Sequence, residues 1–314
     1  MSNNQQSNHP KSNIWRDVRF WRFAGQFLAV FIAAIVVAIL WGNLNRNLQQ
    51  LGIQPGFSFL NSQAAFDIGE TLISYAPSDT YSRALLVGFV NSLRVMVAGI
   101  ILTTIVGITA GIARLSDNWL VRKLALVYVE IFRNTPLLLQ LLFWYFAVFL
   151  TLPKVENPIS LLGFIRLSQN GLELPWIQFS PEFSTLLIGI TLYTGAFIAE
   201  IVRGGIQSVS RGQWEAAASL GLKPGLAMRL VIFPQALRVI IPPLTSQYLN
   251  LAKNSSLAVA IGYPDIYLVA STTFNQTGRA VEVMLLIMTI YLTISLIISL
   301  VMNLFNKSVQ LKER

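Results

Sequence analysis

Thirty successive residues, Ala84 to Ala113, carry a single charged side chain, Arg94. A second run, Phe23 to Trp41, carries none. Runs of this kind leave few folds open, because about 20 apolar residues are what a helix needs to cross the hydrocarbon of a bilayer. At 1.5 Å per residue the longer run makes roughly 45 Å of helix against a hydrocarbon core of roughly 30 Å, so it must tilt or protrude. Further apolar runs cover 136–152, 183–202, 237–270 and 281–305, which makes six candidate spans. Composition agrees: 12% of the residues are charged and 54% apolar, whereas about a quarter of a soluble domain is charged. The expected fold class is all-α, a polytopic bundle of transmembrane helices.

The run from Phe23 ends in bulky Trp41 and is longer than a secretory signal core, so it reads as an uncleaved span. Three regions follow: a basic tail 1–22, an extra N-terminal span with an external loop 23–83, and the main transmembrane domain 84–314. Within them, Gln54-Pro55-Gly56, Ala76-Pro77-Ser78 and the polar stretch 153–181 read as turns and loops. Residues 119–133 read as an amphipathic or partly embedded helix stopped by Asn134-Thr135-Pro136, with Pro136 opening the third span.

The chain has no cysteine, and its one histidine, His9, lies in the polar tail. Disulfides, thiol nucleophiles, Cys/His metal sites and a Ser-His-Asp triad within the fold are therefore not expected. A net charge of +9 would suit nucleic acid, but the placement of the charge answers to lipid instead. With the N-terminus inside and six spans, the inside segments 1–22, 114–123, 203–238 and 306–314 hold 15 basic residues and the outside segments 5. That asymmetry puts both termini in the cytoplasm and leaves no call for nucleic acid.

The inside segment from Arg203 to Arg238 is more than a polar connector. Trp214 to Leu220 is a good helix former with Glu215 expected in its first turn, where the helix dipole favours an anion. Gly221 suits the left-handed position that ends such a helix. Pro224 can start a second helix from Leu226 to Phe233, making a short helix-turn-helix. Glu215-Ala216-Ala217, Gly221 and Pro234, at this spacing, resemble the EAA loop of ABC import permeases. Gly195-Ala196-Phe197-Ile198-Ala199-Glu200 with Arg203-Gly204-Gly205, and Glu130-Ile131-Phe132-Arg133-Asn134-Thr135-Pro136 with Gln140, are similar to the polar-amino-acid branch of that family. Gly56-Phe57-Ser58-Phe59-Leu60 and Phe66-Asp67-Ile68 resemble the general L-amino-acid uptake permeases. The resemblance covers roughly residues 40–310; Val231 and Phe233 depart from the pattern's usual Ile and Leu.

The resemblance implies a permease subunit in a bacterial cytoplasmic membrane, with the loop at about 204–236 docking in a groove on an ATPase subunit. Its partners would be ABC ATPase subunits, a second homologous permease (a different chain in this branch, or a copy of this one) and an external amino-acid-binding protein. No Gly-x-x-x-x-Gly-Lys-Ser/Thr phosphate loop occurs in the chain, so ATP and Mg belong to the partner ATPase, and this subunit is expected to bind no cofactor and to be no enzyme itself.

Polar side chains inside spans cost ~2.5–3.5 kcal/mol each for central charges, which makes them functional candidates. Glu130 with Arg133 and Glu200 with Arg203 are spaced i,i+3 and can pair on one helix face, as gates or as helix-end anchors. Lys253-Asn254-Ser255-Ser256 interrupts the fifth apolar run and reads as an unwound stretch, which survives at membrane depth only in protein or along a wet cavity. Gln247, Asn91, Gln140, Tyr193, Arg94 and Asn250 are candidates to line the same pathway or to join helices by hydrogen bonds. An ion-gradient-driven secondary amino-acid transporter is the rival reading; it should show internal repeats, and none is evident between the halves. A purely structural membrane anchor would not require the helix-turn-helix.

Overall fold

The structure, a computed structural model, describes residues 18–50, 56–161 and 163–310; the tail with His9, Lys11 and Arg16, the Gln54-Pro55 turn, and Lys312 and Arg314 lie outside them. The chain divides into two compact units, Met1–Gly56 and Phe57–Arg314. Among its described residues the first unit holds one helix, α1 (Val18–Gln50), whose apolar side chains, Phe27, Val30 and Trp41 among them, are exposed along its length. The helix runs on past Trp41, the end of the apolar run, as far as Gln50. Arg46 accounts for the extra turns, reaching back to the Gly42 carbonyl (3.3 Å) and the Asn43 side chain (2.6 Å).

In the second unit a turn of 3₁₀ helix (Ser58–Asn61) precedes α2 (Tyr81–Ala113), which is capped by the Thr80 hydroxyl. Helix α2 lies directly against α5 (Pro181–Gln207). Two glycines let the backbones approach: a Cβ on Gly107 would meet Ile198 Cγ2 at 2.4 Å, and one on Gly111 would meet the Ala199 carbonyl at 2.7 Å. Small residues four apart on one helix are what close packing in lipid favours.

Helix α3 (Trp119–Asn134), capped by Asn118, is followed by α4 (Leu137–Leu142), which widens into a π turn at Phe143–Val148 and ends in 3₁₀ at Phe149–Thr151. The axes of the two arms meet at 107°. Pro136 cannot donate to a continuing helix, and the residue before a proline is pushed into extended backbone; Thr135 has φ −112°, ψ 136°. The third span expected at 136–152 is thus only the second arm of a bent pair. Its 15 residues reach about 22 Å as a helix, too short alone for a bilayer.

The stretch 153–181, expected to be a loop, holds an antiparallel four-stranded meander, β1 (Ile159–Leu161), β2 (Ile165–Ser168), β3 (Gly171–Leu174) and β4 (Ile177–Phe179). Their alternating residues, Ile165-Arg166-Leu167-Ser168 and Leu172-Glu173-Leu174, are the period-2 pattern of a half-covered sheet.

Helix α6 (Arg211–Ser219) and the short α7 (Pro224–Ala227) follow α5. From α7 the chain runs without a break through a π turn (Met228–Ile232), α8 (Phe233–Asn254) and a 3₁₀ stretch (Ser255–Ile261). The fifth span is therefore Pro224–Ile261, displaced from the expected 237–270. Left-handed Gly262 (φ 76°) ends it, and α9 (Ile266–Thr277), capped by Asp265, is a separate short helix. The last helix is α10 (Ala280–Val309). Among the described residues five helices are long and apolar enough to cross a membrane, or six crossings if the bent pair counts as one. The core of the second unit is built around Leu141, Phe183, Ile190, Leu251 and Tyr263.

Candidate functional site

Two features carry polar or apolar groups where an isolated bundle would not keep them: the α5–α8 connection and one face of α8. The connection begins where Ser208 caps α5 and bonds back to the Gly205 carbonyl (2.7 Å). Helix α6 starts at Arg211, one turn before the expected Trp214, so Glu215 stands in the second turn and not the first. Ser210 in extended backbone supplies the earlier start.

At the other end the Leu222 N–H reaches the Ala217 carbonyl (3.1 Å) and the Gly221 N–H reaches that of Ala218 (2.9 Å), with Gly221 at φ 74°. This is the Schellman ending, whose left-handed residue is normally glycine. Pro224 then sets the first position of α7, as expected. The second arm is not a separate short helix but the beginning of the fifth span. Phe233 N–H bonds Met228 O, five residues back, just before Pro234. Proline has no N–H to give and crowds the carbonyl four residues before it, and a widened turn relieves that crowding.

The two arms touch: Ala217 and Ala227 are buried, Trp214 packs against the core cluster to which Ile232 and Ala236 belong, and the Gln235 amide donates to Gln213 (2.9 Å). Glu215, Ala216, Gly221 and Pro234 face outward, as does Leu220, 80% exposed, with Leu226 and Leu230. Exposed aliphatic side chains of this kind mark a surface covered by lipid or by another chain.

On α8, Ser246, Asn250 and Lys253 are exposed at i, i+4 and i+7, with Gln247 half-buried beside them. Helix α10 shows the contrast. Its exposed face is Met288, Leu292, Leu296, Leu300 and Leu304, and its exposed Thr289 and Thr293 bond their own helix. The α10 face suits lipid; the α8 face does not, because polar groups in hydrocarbon lack partners. Lys253-Asn254-Ser255-Ser256, read from sequence as unwound, is helical. The Ser255 and Ser256 hydroxyls bond the carbonyls of Ala252 and Lys253 (both 2.8 Å), which satisfies them within the helix, and the break falls later at Gly262.

The remaining candidates divide. Glu200 pairs with Arg203 and also with Arg114, which sequence reasoning left out because it lies 86 positions away on the turn after α2. Glu130 and Arg133 do not pair: Glu130 accepts from Asn134 (3.0 Å), while the Arg133 guanidinium lies over the Phe197 ring at 5.3 Å. An aromatic face on α5 is available to Arg133, and Glu130 points to the exposed side of α3. Gln140 is buried and donates to the carbonyls of Phe132 and Thr135 (both 3.0 Å), holding the α3–α4 elbow. Tyr193 meets Phe197 with the two rings tilted (centroids 5.0 Å apart). Asn91 ties α2 to the carbonyls of Glu70 (2.8 Å) and Pro264 (3.0 Å). Glu70, missed from sequence, pairs with Arg94. Among the described residues no group of three or more His, Cys, Asp or Glu could hold a metal ion.

Comparison with known proteins accounts for this combination of features. Residues 103–311 match the family model of the binding-protein-dependent transport system inner membrane component. The general L-amino acid transport system permease protein AapQ of Rhizobium johnstonii is 38% identical over 93% of this chain and 94% of its own. The glutamate/glutamine/aspartate/asparagine transport system permease protein BztB of Rhodobacter capsulatus is 39% identical over 95% and 96%. Among solved structures, an amino acid ABC transporter crystallised with histidines matches at TM-score 0.58 and 28% identity, over 73% of this chain and 95% of that one. The MetNI methionine ABC transporter shares the fold at TM-score 0.56 and 17% identity. The chain belongs to the binding-protein-dependent transport system inner membrane component family, the membrane-spanning permeases of ABC importers.

Proposed function

We propose that this chain is one of two permease subunits of an ATP-driven importer that carries amino acids across a bacterial cytoplasmic membrane, both termini inside. The observation that carries the reading is the polar face of α8, Ser246, Asn250 and Lys253, exposed on a span that lipid would not solvate. A second permease facing it would enclose a route with donors and acceptors for a zwitterion. Relatives named as amino-acid permeases along nearly the full chain support the substrate class.

The ATPase meets α6 in this reading. Glu215, Ala216 and Gly221 present a small backbone surface, and Leu220 an apolar contact, on the first arm of a hairpin whose second arm runs unbroken into the fifth span. Movement of the ATPase therefore reaches α8 as the tilt of one continuous rod. ATP and Mg reside on that partner, and an external binding protein delivers the substrate.

The test is co-purification from the native membrane with Leu220→Asp alongside wild type. The wild-type chain should bring a phosphate-loop ATPase and a second permease, and the variant should lose the ATPase while keeping the permease. An Asn250→Cys variant of this cysteine-free chain reports on the α8 face. Cross-linking to a different permease, but not to itself, identifies a heterodimer. A chain purified alone that moves amino acids on an ion gradient overturns the proposal.

A further inference from the structure

Glu70 belongs to the segment between Phe57 and Thr80, which is irregular apart from one 3₁₀ turn, yet its carboxylate ends within the bundle. One carboxylate oxygen meets the Arg94 guanidinium and the other accepts from the Ser180 hydroxyl at the start of α5. Arg94 lies thirteen residues, roughly 20 Å, along α2 from Tyr81. Its guanidinium sits 3.8 Å from the centre of the Phe183 ring and 5.2 Å from that of Phe179. Beside Glu70 opens a cavity of about 490 Å³, lined by Glu70, Asp67, Glu182, Ser180, Gly262 and Pro264 among others; Arg94, on the other side of the ion pair, is not part of its wall. All of this stands at the end of α5 opposite to the one from which α6 springs.

An arginine at this depth needs a counter-charge. A partner on a neighbouring helix would supply it permanently; here it comes from a connecting segment. We propose that Arg94 is a carboxylate receptor on the translocation route and that Glu70 is its built-in occupant. The segment from Phe57 to Thr80 is then a plug over the outer mouth that yields to the arriving amino acid. The proposal rests on the amino-acid importer reading above.

The chemistry favours an exchange. The carboxylate attached to the α-carbon is the anionic group that amino acids share whatever their side chain, and the planar guanidinium receives it through two parallel hydrogen bonds. Replacing one carboxylate by another leaves Arg94 neutralised throughout, so opening exposes no unpaired buried cation. Glu70, once displaced, remains beside the cavity, where it can accept the ammonium of the same zwitterion. The aromatic faces of Phe183 and Phe179 hold the guanidinium in place during the exchange.

The test uses the assembled transporter in proteoliposomes, with its partner permease, ATPase and binding protein. Glu70→Gln keeps the shape and removes the competing charge. It should raise ATP hydrolysis in the absence of binding protein by several-fold and lower the half-saturating amino-acid concentration. Arg94→Gln should raise that concentration at least about tenfold, the loss of one charge-assisted contact. Should Arg94→Gln fail to assemble, Arg94→Lys, which keeps the charge but not the fork, should give an intermediate rise. The exchanged pair Glu70→Arg with Arg94→Glu should restore low basal hydrolysis without restoring uptake. Full recovery of uptake by the exchanged pair, or a Glu70→Gln transporter indistinguishable from wild type, overturns the plug. Absence of amino-acid uptake by the wild-type complex refutes instead the importer reading on which the plug rests.

Discussion

The ending of α6 allows a backbone requirement to be separated from a docking requirement. Gly221 sits at φ 74°, and a Cβ built on it meets nothing within 4 Å. Within this chain the penalty for a side chain is then conformational alone, about 1–2 kcal/mol for a residue forced into left-handed backbone. Asparagine tolerates that region far better, because its side chain can bond locally. At 1.4 kcal/mol per factor of ten, Gly221→Ala should open the ending about five- to thirtyfold more often, and Gly221→Asn close to the wild-type rate. The bonds affected are those from Leu222 N–H to Ala217 and from Gly221 N–H to Ala218. Hydrogen–deuterium exchange on a peptide spanning residues 214–226 reads them directly in detergent, with the α2 peptide as an internal control. ATPase co-purification is scored on the same three proteins. Equal exchange for wild type, Ala and Asn would refute the conformational argument. An Asn variant that keeps its protection but loses the ATPase would show that a partner comes too close to Gly221 for any side chain.

Other substitutions test the packing and the charge clusters. Gly107→Ala should cost about 1–3 kcal/mol by overpacking against Ile198, whereas Gly204→Ala, with nothing within 4 Å of its Cβ, should be neutral or slightly stabilising; heating followed by gel filtration ranks them. Glu200→Gln strands Arg114 and Arg203, and because the three side chains are 12–27% exposed the loss is discounted to about 1–2 kcal/mol. Glu130→Gln, on the exposed side of α3, should barely move the same melting temperature, and a drop equal to that of Glu200→Gln would restore the pairing with Arg133 that the structure lacks. Gln140→Leu should loosen the α3–α4 elbow and raise exchange at Phe132–Leu137, since its amide holds two carbonyls there.

What was legible in the sequence is what lipid dictates residue by residue. Uninterrupted apolar runs, Pro136 ending α3, Gly221 ending α6 and Pro224 opening α7 are local choices, each enforced by a nearby backbone or by the solvent. The meander at 159–179 was legible too, in the alternation of Ile165-Arg166-Leu167-Ser168, but polar composition hid it. Lys253 to Ser256 misled because polarity was taken for unwinding, while serine hydroxyls can bond the preceding turn and stay helical. Tertiary structure alone decided the rest. Spacing allowed Glu130–Arg133 and Glu200–Arg203 equally, and only the neighbours settled them, an aromatic ring beside one arginine and a second arginine beside the other glutamate. Glu70 and Arg94 stand 24 positions apart on unlike elements, and Arg114 and Glu200 86 apart. Periodicity constrains a residue's own helix face; which distant charge meets it is set by how α2 and α5 pack, and that depends on glycines whose role is visible only once the helices touch.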